Sequence, residues 1–213
     1  MAETQRAYVP AAGRDWRLPF YDPLVALMGA GHTRQLLIEQ ARFQSNQRVL
    51  EIGCGTGTLL TLIARQYPGL AVVGLDPDPK ALARARTKAE RSGVSVQLDQ
   101  GFADSMPYLA GSFDRVLSSF MFHHIPTSAK LPTLREVRRV LKSGGLFTML
   151  DFGGGVKDGW FARHLHAVHG FEENEESRVL DLMRQAGLVD AKRTKRDAVL
   201  FGHLPVNCFE ATC

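Results

Sequence analysis

The chain has 213 residues, 45% hydrophobic and 23% charged, the balance of one core-forming domain or one domain with a modest cap. Its formal charge of +4 is scattered, no apolar run approaches the ~18 residues of a membrane span, and the first ten residues lack the apolar core of a secretory signal. The three cysteines, Cys54, Cys208 and Cys213, form no CxxC pair, so neither a disulfide framework nor a zinc site is signalled and a reducing cytoplasm is expected.

Residues 1–22 are rich in aromatics, Pro and Arg and carry no period. From 22 to 43 the apolar positions Leu24, Leu27, Met28, Leu36, Leu37 and Ala41 mostly recur at helical spacing. The interruption Gly29-Ala30-Gly31 predicts two helical pieces. The pattern then alternates. Strands are predicted over 48–52, 70–75, 94–98, 113–119 and 146–150, with helices over 59–66, 80–91 and 129–141 between them. Strands alternating with helices of this length mean βαβ units and a parallel sheet.

The last third is less regular. Gly153-Gly154-Gly155 precedes a helical stretch around 160–169, and another helix is expected over 175–185. Two final strands, 188–194 and 198–204, are separated by too few residues for a crossover, so they predict an antiparallel hairpin. The basic run Lys192-Arg193-Thr194-Lys195-Arg196 then reads as a solvated strand rather than a nucleic-acid contact. The fold class expected is α/β, doubly wound, with a mostly parallel seven-stranded sheet ending in that hairpin.

The most informative stretch is Val49-Leu50-Glu51-Ile52-Gly53-Cys54-Gly55-Thr56-Gly57, a strand running through a glycine turn into a helix. Glycines there permit positive φ and let the backbone approach a bulky ligand at the carboxyl ends of the strands. A dinucleotide fold prefers GxGxxG. This chain has the tighter GxGxG, with an acid, Glu51, two residues earlier. The second strand ends Val72-Val73-Gly74-Leu75-Asp76, where a carboxylate is suited to accept hydrogen bonds from ribose hydroxyls. The plainer reading of Asp76 is a turn or cap within Asp76-Pro77-Asp78-Pro79, although Asp78 is the better placed cap.

VLEIGCGTG followed by VVGLDPD resembles the cofactor-binding half of the class I S-adenosylmethionine-dependent methyltransferases. The resemblance continues through Gly101 to Pro107, Ser112 to Val116 and Leu134 to Gly145, covering roughly residues 45–151. Tyr21-Asp22-Pro23 and His123-His124 look more narrowly like the small-molecule methyltransferases of ubiquinone and menaquinone biosynthesis. The resemblance implies S-adenosylmethionine as cofactor. Glu51, Gly53, Cys54, Gly55 and Gly57 would shape the pocket for its methionine part, and Asp76 with Pro77 would hold the ribose. Phe102, Ala103 and Asp104 would meet the adenine, while Ser119 or Phe120 would line the methionine side. Many family members read Gly-Asp-Ala at the adenine motif, whereas this chain reads Gly101-Phe102-Ala103-Asp104, so the carboxylate stands two positions later.

The implied reaction is methyl transfer to a small-molecule acceptor, with no recognition domain for nucleic acid or protein. A soft acceptor would need no base. A phenol or acidic carbon would, and His123 and His124 follow the fourth strand on the ligand side, as either bases or lining residues. His164, His166 and His169 lack metal-ligand geometry on a helix, and no metal is expected. Tyr8, Trp16 and Tyr21 in the N-terminal arm and Trp160 after the fifth strand would line the acceptor, or else fill a core. The organisation expected is an N-terminal arm and helices over 1–44 acting as a substrate cap, then a cofactor-binding domain over 45–213 with 152–174 as a lid. Two rivals stand: a catalytically inactive relative acting as a binding protein, and an NAD(P)-dependent oxidoreductase, which leaves the GxGxG spacing and Glu51 unexplained. The oligomeric state and the methylated atom are not written in the sequence.

Overall fold

The computed structural model of the chain describes residues 30–153, 175–199 and 204–213. Helix α1 (Ala30–Ala41) precedes β1 (Arg48–Ile52), α2 (Thr58–Gln66), β2 (Ala71–Asp76), α3 (Pro79–Arg91) and β3 (Gln97–Gln100). There follow β4 (Phe113–Ser119), a 3-10 turn (Phe122–His124), α4 (Thr127–Val140), β5 (Leu141–Phe152), α5 (Glu176–Gln185), β6 (Val189–Val199) and β7 (Leu204–Thr212).

The strands form one sheet in the order β3-β2-β1-β4-β5-β7-β6. The first five run parallel, and β7 lies antiparallel between β5 and β6. The doubly wound sheet with its antiparallel C-terminal hairpin is the expected fold. The strand order reverses between β1 and β4, and that reversal opens a crevice at their carboxyl ends.

Side-chain alternation splits the core into two layers. Leu50, Ile52, Val116, Phe147 and Met149 face Phe122, Val137 and Met183 on one side of the sheet. Val49, Val72, Leu117 and Leu150 face Leu37, Ile38, Leu59 and Ile63 on the other. Burial on both faces accounts for the near-continuous apolar runs of β1 and β2. Helix α3 begins where Asp78 Oδ1 accepts the Lys80 N–H at 2.8 Å, with Pro79 in its first turn.

Several boundaries differ from the sequence reading. Helix α1 begins at Ala30, within the Gly29-Ala30-Gly31 interruption, and buries Leu37, Ile38 and Ala41, while the helical piece expected before it lies outside the described residues. Strand β3 starts at Gln97 rather than 94, since Val94 and Val96 pack on the core before the ladder begins. Strand β6 runs to Val199 and β7 from Leu204 to Thr212, with Phe209 and Ala211 buried against β5. The basic run sits on β6, an edge strand, where Lys192 pairs with Glu210 at 3.1 Å and Arg193 with Glu176 at 2.8 Å.

Among the described residues no helix is long and apolar enough to cross a membrane. Tyr8, Trp16, Tyr21, Trp160 and the histidines at 164, 166 and 169 lie outside the described residues, as do most of the 1–44 and 152–174 segments.

Candidate active site

The carboxyl ends of β1, β2 and β4 enclose a cavity of about 230 Å³. Glu51, Gly53, Cys54, Gly55, Asp76, Pro77, Phe102, Ala103, Asp104, Ser119 and Phe120 all lie on its wall. Of the cofactor residues expected from sequence, Gly57 alone is absent from the lining. A Cβ on Gly57 would stand 2.7 Å from Ala85 Cβ, and its φ is +72°. That glycine is required where α2 meets α3, one step behind the pocket.

The turn after β1 is laid across the end of β2. The N–H groups of Gly53 and Cys54 both donate to the Leu75 carbonyl, at 2.7 and 3.1 Å. The Gly55 N–H donates to Asp76 Oδ2 at 2.8 Å, and the Asp78 N–H donates to Asp76 Oδ1 at 2.9 Å. Asp76 is therefore not the cap of α3; it joins the turn to the strand. Each of its oxygens has one lone pair engaged and one more able to accept. Burial raises its pKa, and the two N–H donors oppose that rise.

Glu51 is almost wholly buried at 3% exposure, and its Oε2 has no hydrogen-bond partner within the protein. Desolvation pushes its carboxyl up to about 8, while Arg34 pulls it down and Asp76 adds to the rise. Ser119 Oγ, Asp78 Oδ2 and Thr133 Oγ1, on the same cavity wall, are likewise buried without a partner in the protein. These are four of the nine buried side-chain atoms with no hydrogen-bond partner among the described residues. Cys54, buried beside them, has its thiol held well above the ordinary value, first by desolvation and then by Glu51.

Beyond β4 the chain takes a strained step. Phe120 has φ +52°, a conformation costly for a non-glycine residue. Its N–H donates to the Leu150 carbonyl at 2.8 Å, and its ring lies 4.9 Å from that of Phe152. Gly53 packs directly against Met121, so the glycine turn and the β4 loop abut.

The two histidines part company. His124 lines the cavity, whereas His123 does not. The His123 side chain is 4% exposed, with Nδ1 2.6 Å from Asp151 Oδ1. Its backbone N–H donates to Asp151 Oδ2 at 3.0 Å, and the ring stands 3.9 Å from that of His124. His123 thus stands behind His124, which is the histidine on the cavity wall.

Arg34 of α1 and Met121 also line the cavity, and neither was read from sequence. The weak helical pattern of α1 gives no sign of which side meets the strand ends. Thr56 and Thr58, in the turn and at the start of α2, also line it and both receive Lys88 Nζ, at 3.2 and 2.6 Å.

Residues 49–145 match the model of a methyltransferase domain. That match spans 97 of the 213 residues. A demethylmenaquinone methyltransferase of Thermus thermophilus is 35% identical over 137 residues, covering 63% of this chain and 61% of that protein. A ubiquinone biosynthesis O-methyltransferase of Ruegeria sp. is 34% identical over 159 residues, covering 68% and 62%. The chain thus spans about three fifths of the length of these relatives. Among solved structures, phosphoethanolamine N-methyltransferase 2 of Haemonchus contortus superposes with a TM-score of 0.81 at 16% identity, covering 95% of this chain and 58% of that one. That likeness is one of fold.

Proposed function

We propose that this protein binds S-adenosylmethionine in the cavity at the carboxyl ends of β1, β2 and β4 and transfers its methyl group to a small-molecule acceptor. The observation that carries the reading is the buried, unpartnered Glu51 Oε2 on the same wall as Asp76 and Arg34. A ligand with an ammonium, a carboxylate and a ribose fits that donor set. Glu51 offers an acceptor for the ammonium, Arg34 a cation for the carboxylate, and Asp76 its two spare lone pairs for the ribose hydroxyls. Phe102 and Ala103, in the short turn after β3, supply a flat apolar edge and backbone for the adenine, with Asp104 beside them.

S-adenosylmethionine when bound supplies an electrophilic methyl on a sulfonium whose leaving group is a neutral thioether. The protein's part is to hold an acceptor in line and keep water out. Phe120 and Met121 provide the dry side of the cavity next to Ser119. His124, on the same wall, takes the proton from an acceptor hydroxyl or acidic carbon as the new bond to methyl forms. The two quinone-pathway relatives support an acceptor built on a small ring that carries such a hydroxyl or carbon.

The test is incubation with S-adenosylmethionine labelled in its methyl group and a panel of phenols, hydroquinones and small amines. Label in a small acceptor with matching S-adenosylhomocysteine is the expected result. Label found only in added tRNA or protein would overturn the small-molecule reading.

A further inference from the structure

Asp151 is the penultimate residue of β5, and the parallel register sets Leu150 beside Ser119, so the aspartate emerges beside the loop that carries the histidines. Its carboxylate, on a residue only 1% exposed, receives three donors. These are His123 N–H at 3.0 Å, Phe152 N–H at 2.7 Å and His123 Nδ1 at 2.6 Å. A carboxylate accepts, so the network puts a proton on Nδ1 of His123 and fixes that ring. Phe152 packs edge-on to the ring, centroids 5.0 Å apart, and His124 lies against it at 3.9 Å with 43° between planes.

We propose that Asp151 and His123 are positioning residues: a buried brace that fixes the orientation of His124 on the cavity wall for proton removal from the acceptor. The inference rests on the methyl-transfer reading above. Neither member is among the residues lining the cavity, and the partners proposed for the cofactor come from β1, β2, α1, the turn after β3 and the end of β4. The brace ties the 3-10 turn that carries both histidines to the buried end of β5, so that turn is held against the sheet. A purely space-filling pair would need no carboxylate under the ring.

Two variants separate positioning from packing. Asp151→Asn keeps the shape and removes the charge. His123→Phe keeps the stacked ring and the backbone N–H bond to Asp151 and removes only the link through Nδ1. For a phenolic or hydroquinone acceptor, each is expected to lower kcat by about tenfold or more, a fraction of the ~10²–10⁴ available to a positioned base. The acceptor KM and S-adenosylhomocysteine affinity should stay within about twofold, and the double variant should fall no further than either single one, as for residues acting as a unit. Unchanged kcat in both variants would overturn the brace while leaving methyl transfer intact.

A second readout does not depend on turnover. In 15N spectra of the seven imidazoles, assigned through His→Gln variants, Asp151→Asn should shift the ring nitrogens of His124 as well as those of His123. Resonances of His124 indifferent to the substitution would overturn the brace whatever the activity. A coupled shift in a protein that transfers no methyl from S-adenosylmethionine would support the brace and defeat the transferase reading instead.

Discussion

The backbone N–H of Gly55 donates to Asp76 Oδ2 at 2.8 Å, so the turn after β1 is held by the last residue of β2. The carboxylate offered to the ribose is therefore also the strut of the glycine turn. Asp76→Ala leaves the Gly55 and Asp78 N–H groups without their acceptor, which costs about 1–3 kcal/mol of stability. Affinity for S-adenosylhomocysteine should fall at least about tenfold, more than Asp76→Asn loses, since the amide still offers one oxygen. Denaturant titration and calorimetry on the same samples check both effects.

The three glycines of the turn are not equivalent. Gly55 has φ +52° and open space around its missing side chain, while Gly57 at φ +72° faces Ala85. Alanine at 55 meets only the left-handed backbone cost of about 1 kcal/mol. At 57 the overpacking adds about 1–3 kcal/mol. Gly57→Ala should thus be the more destabilising, while Gly55→Ala, which lines the cavity, should be the more damaging to ligand affinity. Equal stability loss in urea would contradict the assignment of Gly57 to helix packing.

Glu51 gives the fold a pH dependence of definite sign. Its carboxyl titrates near 4.5 in an unfolded chain and at about 8 when folded. Between those values the folded protein keeps a proton that the unfolded chain releases, so stability falls as pH rises. The contribution is fully present below 4.5 and is lost through about 8. Its slope approaches the one-proton limit of ~1.4 kcal/mol per pH unit. Without ligand, the urea midpoint of the native protein should decline between pH 5.5 and 7.5 relative to Glu51→Gln. Parallel curves would show that Glu51 is ionised in the unliganded fold.

An ammonium arriving beside Glu51 favours its charged form, so ligand binding should expel a proton near neutral pH. Titrations in buffers of different ionisation enthalpy read that proton directly. Glu51→Gln should abolish the release and weaken binding by about tenfold.

His124→Gln should reduce kcat by about 10²-fold or more for an acceptor that must lose a proton. The same change should leave S-adenosylhomocysteine binding within about twofold. An acceptor that is already ionised at the assay pH should escape most of the loss, and that contrast separates a base from a lining residue.

What could be read from the sequence was whatever is local along the chain. Glu51, the GxGxG turn and Asp76 sit on two successive βα units, so their spacing alone places them at one edge of the sheet. Phe102 to Asp104 follow the next strand and obey the same geometry. What could not be read came from distant segments. Arg34 reaches the cavity from a helix whose order in the layers follows from packing, not from spacing. Asp151 falls just past the strand expected over 146–150, and only setting β4 and β5 side by side brings it to His123. Gly57 fits the motif, yet the space it spares is taken by Ala85 rather than a ligand, a distinction no glycine spacing records.

The central claim, that this cavity takes S-adenosylmethionine through Asp76 and Glu51, is tested most directly by calorimetric titration of the protein. The ligands are S-adenosylmethionine, S-adenosylhomocysteine, NAD and NADP, each repeated on Asp76→Ala. Binding of the two adenosyl ligands alone, lost on Asp76→Ala, is the expected result. Binding of a nicotinamide dinucleotide, or adenosyl binding indifferent to Asp76, would contradict it.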